Sequence, residues 1–275
     1  MSIALTFIIP VRHQDNAKDW SRLKANLSQT LASISNQAAD SWKAIVVANE
    51  GADLPTLPKK VEALRVNFPP NTLHEKGTAT QEEFYEAFRF DKGRRVLAAM
   101  LAAEKTSHFM IVDDDDLVSR QLAGFVERNP SSNGWVVKQG YIWTDQGSAL
   151  FAHSDLNGLC GSTLIVRSRL YDLPATASGW SDERIRKMLG SHRQIAEHLS
   201  QAGTPLERLP FRGAIYRIGH AGNHSGKGGI ADEFFWNRRY IRRPWVLGNN
   251  LLKLRPITSE IRQEFFGAGR ALTIS

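Results

Sequence analysis

Cysteine is nearly absent from this chain of 275 residues: Cys160 stands alone. A single thiol excludes an intrachain disulfide and any zinc site built on several cysteines, and it fits a reducing compartment. Long hydrophobic runs are absent too. No stretch approaches the roughly 18 to 20 apolar residues needed to span a bilayer. Met1-Ser2-Ile3-Ala4-Leu5 opens with no basic residue ahead of its apolar stretch, so a soluble cytoplasmic protein is expected. Internal repeats and low-complexity linkers are missing, which makes one continuous domain the simpler reading. What is present is ordinary globular composition, 42% hydrophobic and 23% charged, enough for a sizeable core. The net charge of +7 and a pI near 9.6 favour polyanionic partners such as nucleotides, nucleic acid or an anionic membrane face.

Apolar runs of strand length alternate with helical patterns, the signature of βαβ units and a mostly parallel sheet flanked by helices. Strands are expected at Leu5–Ile9, Ala44–Ala48, Ala63–Asn67, Trp135–Gln139, Thr163–Arg167 and Ala214–Ile218. Trp20, Leu23, Leu27, Leu31 and Ile34 fall on one face of a 3.6-residue period and predict a helix. A loop is expected over residues 69–93, followed by a helix at Val96–Ala103, and a polar loop carrying Trp143, Asp145 and His153 between two of the strands. A further helix should begin near Ser181, where Ile185, Met188, Leu189, His192, Ile195 and Leu199 share a stripe, and end before Gly203.

The most informative junction is Asp113-Asp114-Asp115-Asp116, directly after the apolar run His108–Val112. Four adjacent like charges repel and raise one another's pKa, so a tetrad at a strand's end calls for a compensating cation. A hard divalent metal, Mg²⁺ or Mn²⁺, prefers such oxygens and shares its shell with phosphate. Aspartate also caps turns and helices, which is the plainer reading. Its position favours the metal, because ligands of open α/β sheets sit at the carboxyl ends of strands. Pro10–Arg12, Asn49-Glu50 and the tetrad all follow strands.

Ile8-Ile9-Pro10-Val11-Arg12, Val46-Val47-Ala48-Asn49-Glu50, Asp91-Lys92-Gly93-Arg94-Arg95 and Ile111-Val112 with the tetrad resemble, in order and rough spacing, the nucleotide-sugar half of GT-A glycosyltransferases of the family 2-like group. The resemblance covers about residues 3–170 and continues more loosely to about 230. It implies a Rossmann-like GT-A domain over 1–230, with a nucleotide-sugar half to 120 and an acceptor half from 121, and a basic, aromatic extension over 231–275. It implies that Pro10, Arg12 and Glu50 hold the base and ribose, and that Lys92 and Arg94 contact the nucleotide. Asp113 would face the ribose or a metal-bound water, Asp114 would be the spacer on the nucleotide side, Asp115 would bind the metal and Asp116, beside it, would be a further metal residue. A histidine late in the domain would be a third ligand. His224 is chosen over His220, and an imidazole would favour Mn²⁺ over Mg²⁺. Lys227, in Gly226-Lys227-Gly228-Gly229, would approach the phosphates on a glycine lid.

An inverting transferase also needs a base for the acceptor hydroxyl. Two placements compete: Asp182 and Glu183, which also simply complement a helix dipole, and His192, on an apolar stripe beside Gly190. The stretch Phe234–Trp245 interleaves aromatics with four arginines, suited to anionic lipid headgroups, to nucleic acid, or to a packed helix with a solvated basic face. The resemblance favours a UDP-sugar donor, a glycan or lipid-linked acceptor, peripheral membrane contact and no nucleic-acid partner. Two other functions compete with it. A sugar-phosphate nucleotidyltransferase would carry a glycine-rich signature after the first strand, where Pro10–Asp15 has no glycine. A basic nucleic-acid- or membrane-binding protein would need no metal.

Overall fold

Leu5, Phe7 and Ile9 fill one face of strand β1 (Ile3–Pro10) and Ile8 the other, all fully buried. Strand β2 (Trp42–Asn49) divides in the same way, with Ala44, Val46 and Ala48 on one side and Ile45 and Val47 on the other. Strands covered on both faces read as continuous apolar runs, which is why both were visible in the sequence. The computed structural model describes residues 2–73, 79–219, 228–236 and 244–267. Its further strands are β3 (Val61–Val66), β4 (Thr106–Ile111), β5 (Leu117–Val118), β6 (Gly134–Val136), β7 (Gly140–Thr144), β8 (Ala149–His153), β9 (Leu164–Arg167), β10 (Glu207–Arg208), β11 (Ala214–Ile218) and β12 (Leu254–Pro256).

Among the described residues the central sheet has the order β10-β6-β9-β4-β1-β2-β3. Strands β4, β1, β2 and β3 run parallel, and β9 is antiparallel to both β4 and β6. Helix α1 (Trp20–Ser35) packs Leu23, Leu27, Leu31 and Ile34 on one face, and its cap Asp19 accepts the Arg22 N–H at 2.8 Å. Helix α2 (Gln81–Ala102) packs Val96, Leu97 and Met100 on the other. The chain is therefore mixed α/β, one domain with a mostly parallel sheet between helices, as expected. A second sheet, β12-β8-β7-β11-β5, was not expected, and only its β11–β7 pairing is parallel. Among the described residues no helix is long and apolar enough to cross a membrane.

Three local expectations are corrected. The loop expected through residue 93 ends at Thr80, which forms a capping box with Glu83 and starts α2 about four turns early. The polar loop around Trp143 is the β7–β8 hairpin, in which Trp143 is buried and its indole N–H donates to the Gly147 carbonyl at 2.8 Å. The single helix expected from Ser181 is interrupted. Helix α3 (Leu122–Arg128) precedes it; α4 (Asp182–Ile185) then runs into a π-helical turn, Arg186–Gly190, and α5 (His192–Gln201) starts afresh after Ser191.

Two glycines explain how closely α2 and this interrupted helix pack. A Cβ on Gly93 would lie 2.8 Å from both the side chain and the carbonyl of Ile185, and one on Gly190 would lie 2.2 Å from the Arg89 carbonyl. The contact is reciprocal, backbone against backbone. Gly190 therefore serves helix packing, and it also lines the small cavity that holds His192.

Candidate active site

Strands β1 and β4 are parallel neighbours with Ile8 opposite Ile111, so the residues that follow them emerge side by side. Val112 N–H donates to the Ile8 carbonyl at 2.9 Å and Val11 N–H to the Val47 carbonyl at 2.9 Å, which holds both exits in place. Pro10 and Arg12 from the first exit and Asp113, Asp114 and Asp115 from the second line one cleft. Helix α2 contributes Phe88, Asp91, Lys92 and Arg95, and β11 contributes Tyr216 and Arg217.

The four aspartates have separate surroundings. Asp113 forms an ion pair with Lys92, and its N–H donates to Ser162 Oγ at 2.8 Å. Burial pulls the Lys92 ammonium down, but the charge and hydrogen bond of Asp113, with Asp116 behind it, outweigh this and leave its pKa raised. Asp116 is fully buried and lies outside the cleft lining. Its carboxylate accepts from Ser162 Oγ at 2.6 Å, Cys160 Sγ at 3.1 Å and the Arg217 N–H at 3.2 Å. Burial and then the charges of Asp115 and Asp113 push that carboxyl well above the usual range, against the lowering effect of the Ser162 and Cys160 hydrogen bonds. Asp114 and Asp115 line the cleft itself.

Arg217 is the cation that sequence reasoning missed. Its guanidinium donates to Asn26 at 2.6 Å and Gln29 at 2.7 Å on α1, pairs with Asp145 at 3.5 Å and lies 4.8 Å over the Trp143 ring. Asp145 also pairs with Arg22. Burial lowers the Arg217 pKa to about 10 against the opposing pull of Asp115 and Asp116, so it remains charged at neutral pH. An arginine inside the apolar run Ala214-Ile215-Tyr216-Arg217-Ile218 was the available signal, since a buried charge requires partners.

The other expected residues distribute as follows. Glu50 is exposed and outside the cleft lining. The end of β2 instead reaches the site through Asn49, whose Oδ1 accepts from Arg95 Nη1 at 2.7 Å, while Arg95 also pairs with Asp91 at 3.1 Å. Arg94 turns away, donating to the Pro69 carbonyl at 2.8 Å and stacking 4.5 Å from Phe68. Asp182 and Glu183 are exposed in the first turn of α4, beside the Ser181 cap and outside the cleft. His192 lies in a small adjoining cavity that shares Lys92 with the cleft. Its Nε2–H donates to the Asn157 carbonyl at 2.9 Å, and burial, then the charge of Lys92, lowers its pKa to about 4. His220, His224 and Lys227 lie outside the described residues. Gly161 was also missed: a Cβ there would lie 2.7 Å from Asp113 Oδ2 and 3.0 Å from Lys92 Nζ. Among the described residues no three His, Cys, Asp or Glu side chains converge on one metal position.

No family model and no curated protein matches this chain. Among solved structures, S. aureus TarS aligns at 11% identity over 80% of this chain and 37% of that one, with a TM-score of 0.43. S. aureus TarS 1-349 in complex with UDP-GlcNAc aligns at 11% over 82% of this chain and 61% of that one, TM-score 0.39. Rv0371C of Mycobacterium tuberculosis H37Rv, in complex with manganese, aligns at 11% over 78% and 92%, TM-score 0.36. The chain thus spans less than two thirds of either TarS structure, and likeness at this level assigns neither activity nor substrate.

Proposed function

We propose that this chain is a metal-dependent glycosyltransferase that takes a nucleotide diphosphate sugar into the cleft and passes the sugar to a hydroxyl of a glycan or lipid-linked acceptor. The observation that carries the reading is the meeting of Asp113–Asp115, Lys92, Arg12 and Arg217 at the carboxyl ends of two adjacent parallel strands. Pro10 and Arg12 would bound the base and ribose, with a UDP-sugar as the first donor to test. The departing diphosphate gains charge as the anomeric bond breaks, and the Lys92 ammonium stands at the cleft wall to offset it.

Asp114 and Asp115 are hard oxygen donors in the cleft, and they fit Mn²⁺ or Mg²⁺ that completes its shell with phosphate and water. A bound cation supplies charge relief on the leaving group. The reading gives Asp116 a supporting role, holding β11 and Arg217 against the tetrad. It assigns His192 to positioning the 157–161 turn beside Lys92, and Asp182 and Glu183 to completing the N-terminus of α4.

Thermal unfolding with a panel of nucleoside diphosphates and nucleotide sugars, with and without Mn²⁺ or Mg²⁺, tests this. At about a hundredfold excess over Kd the expected stabilisation is about 2.7 kcal/mol, several degrees in Tm for a chain of this size. It should require metal and vanish in Asp115→Ala. No nucleotide-dependent shift with either metal would refute the reading. Metal-independent, salt-sensitive stabilisation by any polyanion would point to a basic binding protein instead.

A further inference from the structure

The helix Pro244–Leu251 and the residues that follow it are inside out by the standards of a water-soluble surface. Asn250 is 4% exposed and donates to the Phe234 carbonyl at 2.8 Å, whereas Trp245 is 68%, Leu251 60% and Leu252 73% exposed. Trp245, Gly248, Asn249 and Leu252 follow one another at i, i+3, i+4 and i+7, so they share the outward face. A Cβ on Gly248 would meet nothing within 4 Å. Trp236, 72% exposed, lies just after the helix whose Phe234 carbonyl receives Asn250. Apolar side chains concentrated in this way mark a contact surface.

The charge around them selects the partner. Over the described residues 244–259, which carry Trp245, Leu251 and Leu252, the charged side chains are Lys253 and Arg255 and none is acidic. Lys253 and Arg255 are exposed immediately beside Leu252, and Arg255 Nη1 donates back to the Leu252 carbonyl at 2.6 Å. A second copy of this chain would bring like charges together, which disfavours it. Single-stranded nucleic acid would use the aromatic faces and phosphate-binding cations but would leave Leu251 and Leu252 in water. We propose that this face docks on an anionic phospholipid bilayer, with Trp245, Leu251 and Leu252 entering the headgroup and acyl boundary and Lys253 and Arg255 meeting lipid phosphates. This goes beyond the donor cleft and is separable from it, because Asp115→Ala should bind vesicles as the native chain does.

Flotation of the full chain with vesicles of phosphatidylcholine, and of phosphatidylcholine with phosphatidylglycerol, tests the proposal. Binding should require phosphatidylglycerol and weaken with salt. Trp245→Ser combined with Leu252→Ser should lower the partition coefficient about tenfold at unchanged circular dichroism. Lys253→Glu with Arg255→Glu should remove the preference for anionic over neutral vesicles. Vesicle binding unaltered by the Trp245/Leu252 pair of substitutions would overturn the proposal. So would a dimer in sedimentation velocity that those substitutions dissolve, or a loss confined to oligonucleotide binding.

Discussion

Asp113, Asp114, Asp115 and Asp116 are one chemical type in one run, and the turn that contains them separates their roles. The Asp116 N–H donates to the Asp113 carbonyl at 3.2 Å, and that tight turn sends the fourth carboxylate inward while Asp114 and Asp115 line the cleft. Asp116→Ala would leave the Ser162 hydroxyl and the Arg217 N–H without their acceptor. A buried group left unsatisfied costs about 1–3 kcal/mol. Urea unfolding should therefore show Asp116→Ala less stable by about that amount, and Asp116→Asn, which keeps an acceptor oxygen, closer to the native chain. Equal loss of stability in both variants would show that the acceptor role of Asp116 is not what stabilises the turn. The acidic run and its position after a strand were legible in the sequence. The inward turn of Asp116 was not, because it depends on Ser162, Cys160 and Arg217, which lie 44 or more positions away.

Elements were legible where one physical signal dominated. Helix α1 showed its apolar stripe, and β1, β2, β3 and β11 showed runs of strand length. The first half of α2 mixes Phe84, Tyr85, Phe88 and Phe90 with charged residues and buries none of these aromatics fully, so no apolar stripe announced it, and the Thr80 and Glu83 capping box was the signal passed over. The same helix carries the reciprocal glycine contact that sets Lys92 beside Asp113. Gly93→Ala and Gly190→Ala each thrust a methyl group into a facing backbone and should cost about 1–3 kcal/mol. Because either substitution pushes the same pair of helices apart, the double variant should lose less than the sum of the two. Denaturant midpoints of the three proteins would check this, and strict additivity would show that the two contacts are independent.

At the scale of the molecule, one apolar cluster runs from Leu5 and Phe7 in the central sheet to Ile142, Phe151 and Ile218 in the second, and Arg217 with Asp145 ties α1 to that second sheet. Its stability should depend on pH through buried histidines. His108 donates from Nε2 to the Ser132 carbonyl at 3.1 Å and accepts from Ser107 Oγ at 2.9 Å at Nδ1, and burial lowers its pKa to about 4. Unfolded histidine takes up a proton near pH 6.5, whereas the folded one does so only near pH 4. Stability is thus full above pH 6.5 and falls as pH drops toward 4, by up to about 3 kcal/mol for His108. His108→Gln should show a smaller drop between pH 7 and pH 4.5 in urea titrations, and an identical drop would exclude the histidine as its source. By itself the sequence determined which segments were apolar enough to bury, where the parallel strands end and where acid accumulates, since these follow from local pattern and charge. Only the tertiary structure decided the second sheet, the separate roles within the tetrad, the place of Arg217 and the outward face at Trp245. Each of these is set by contacts between residues far apart in the chain, and no local period or composition encodes which of them will meet.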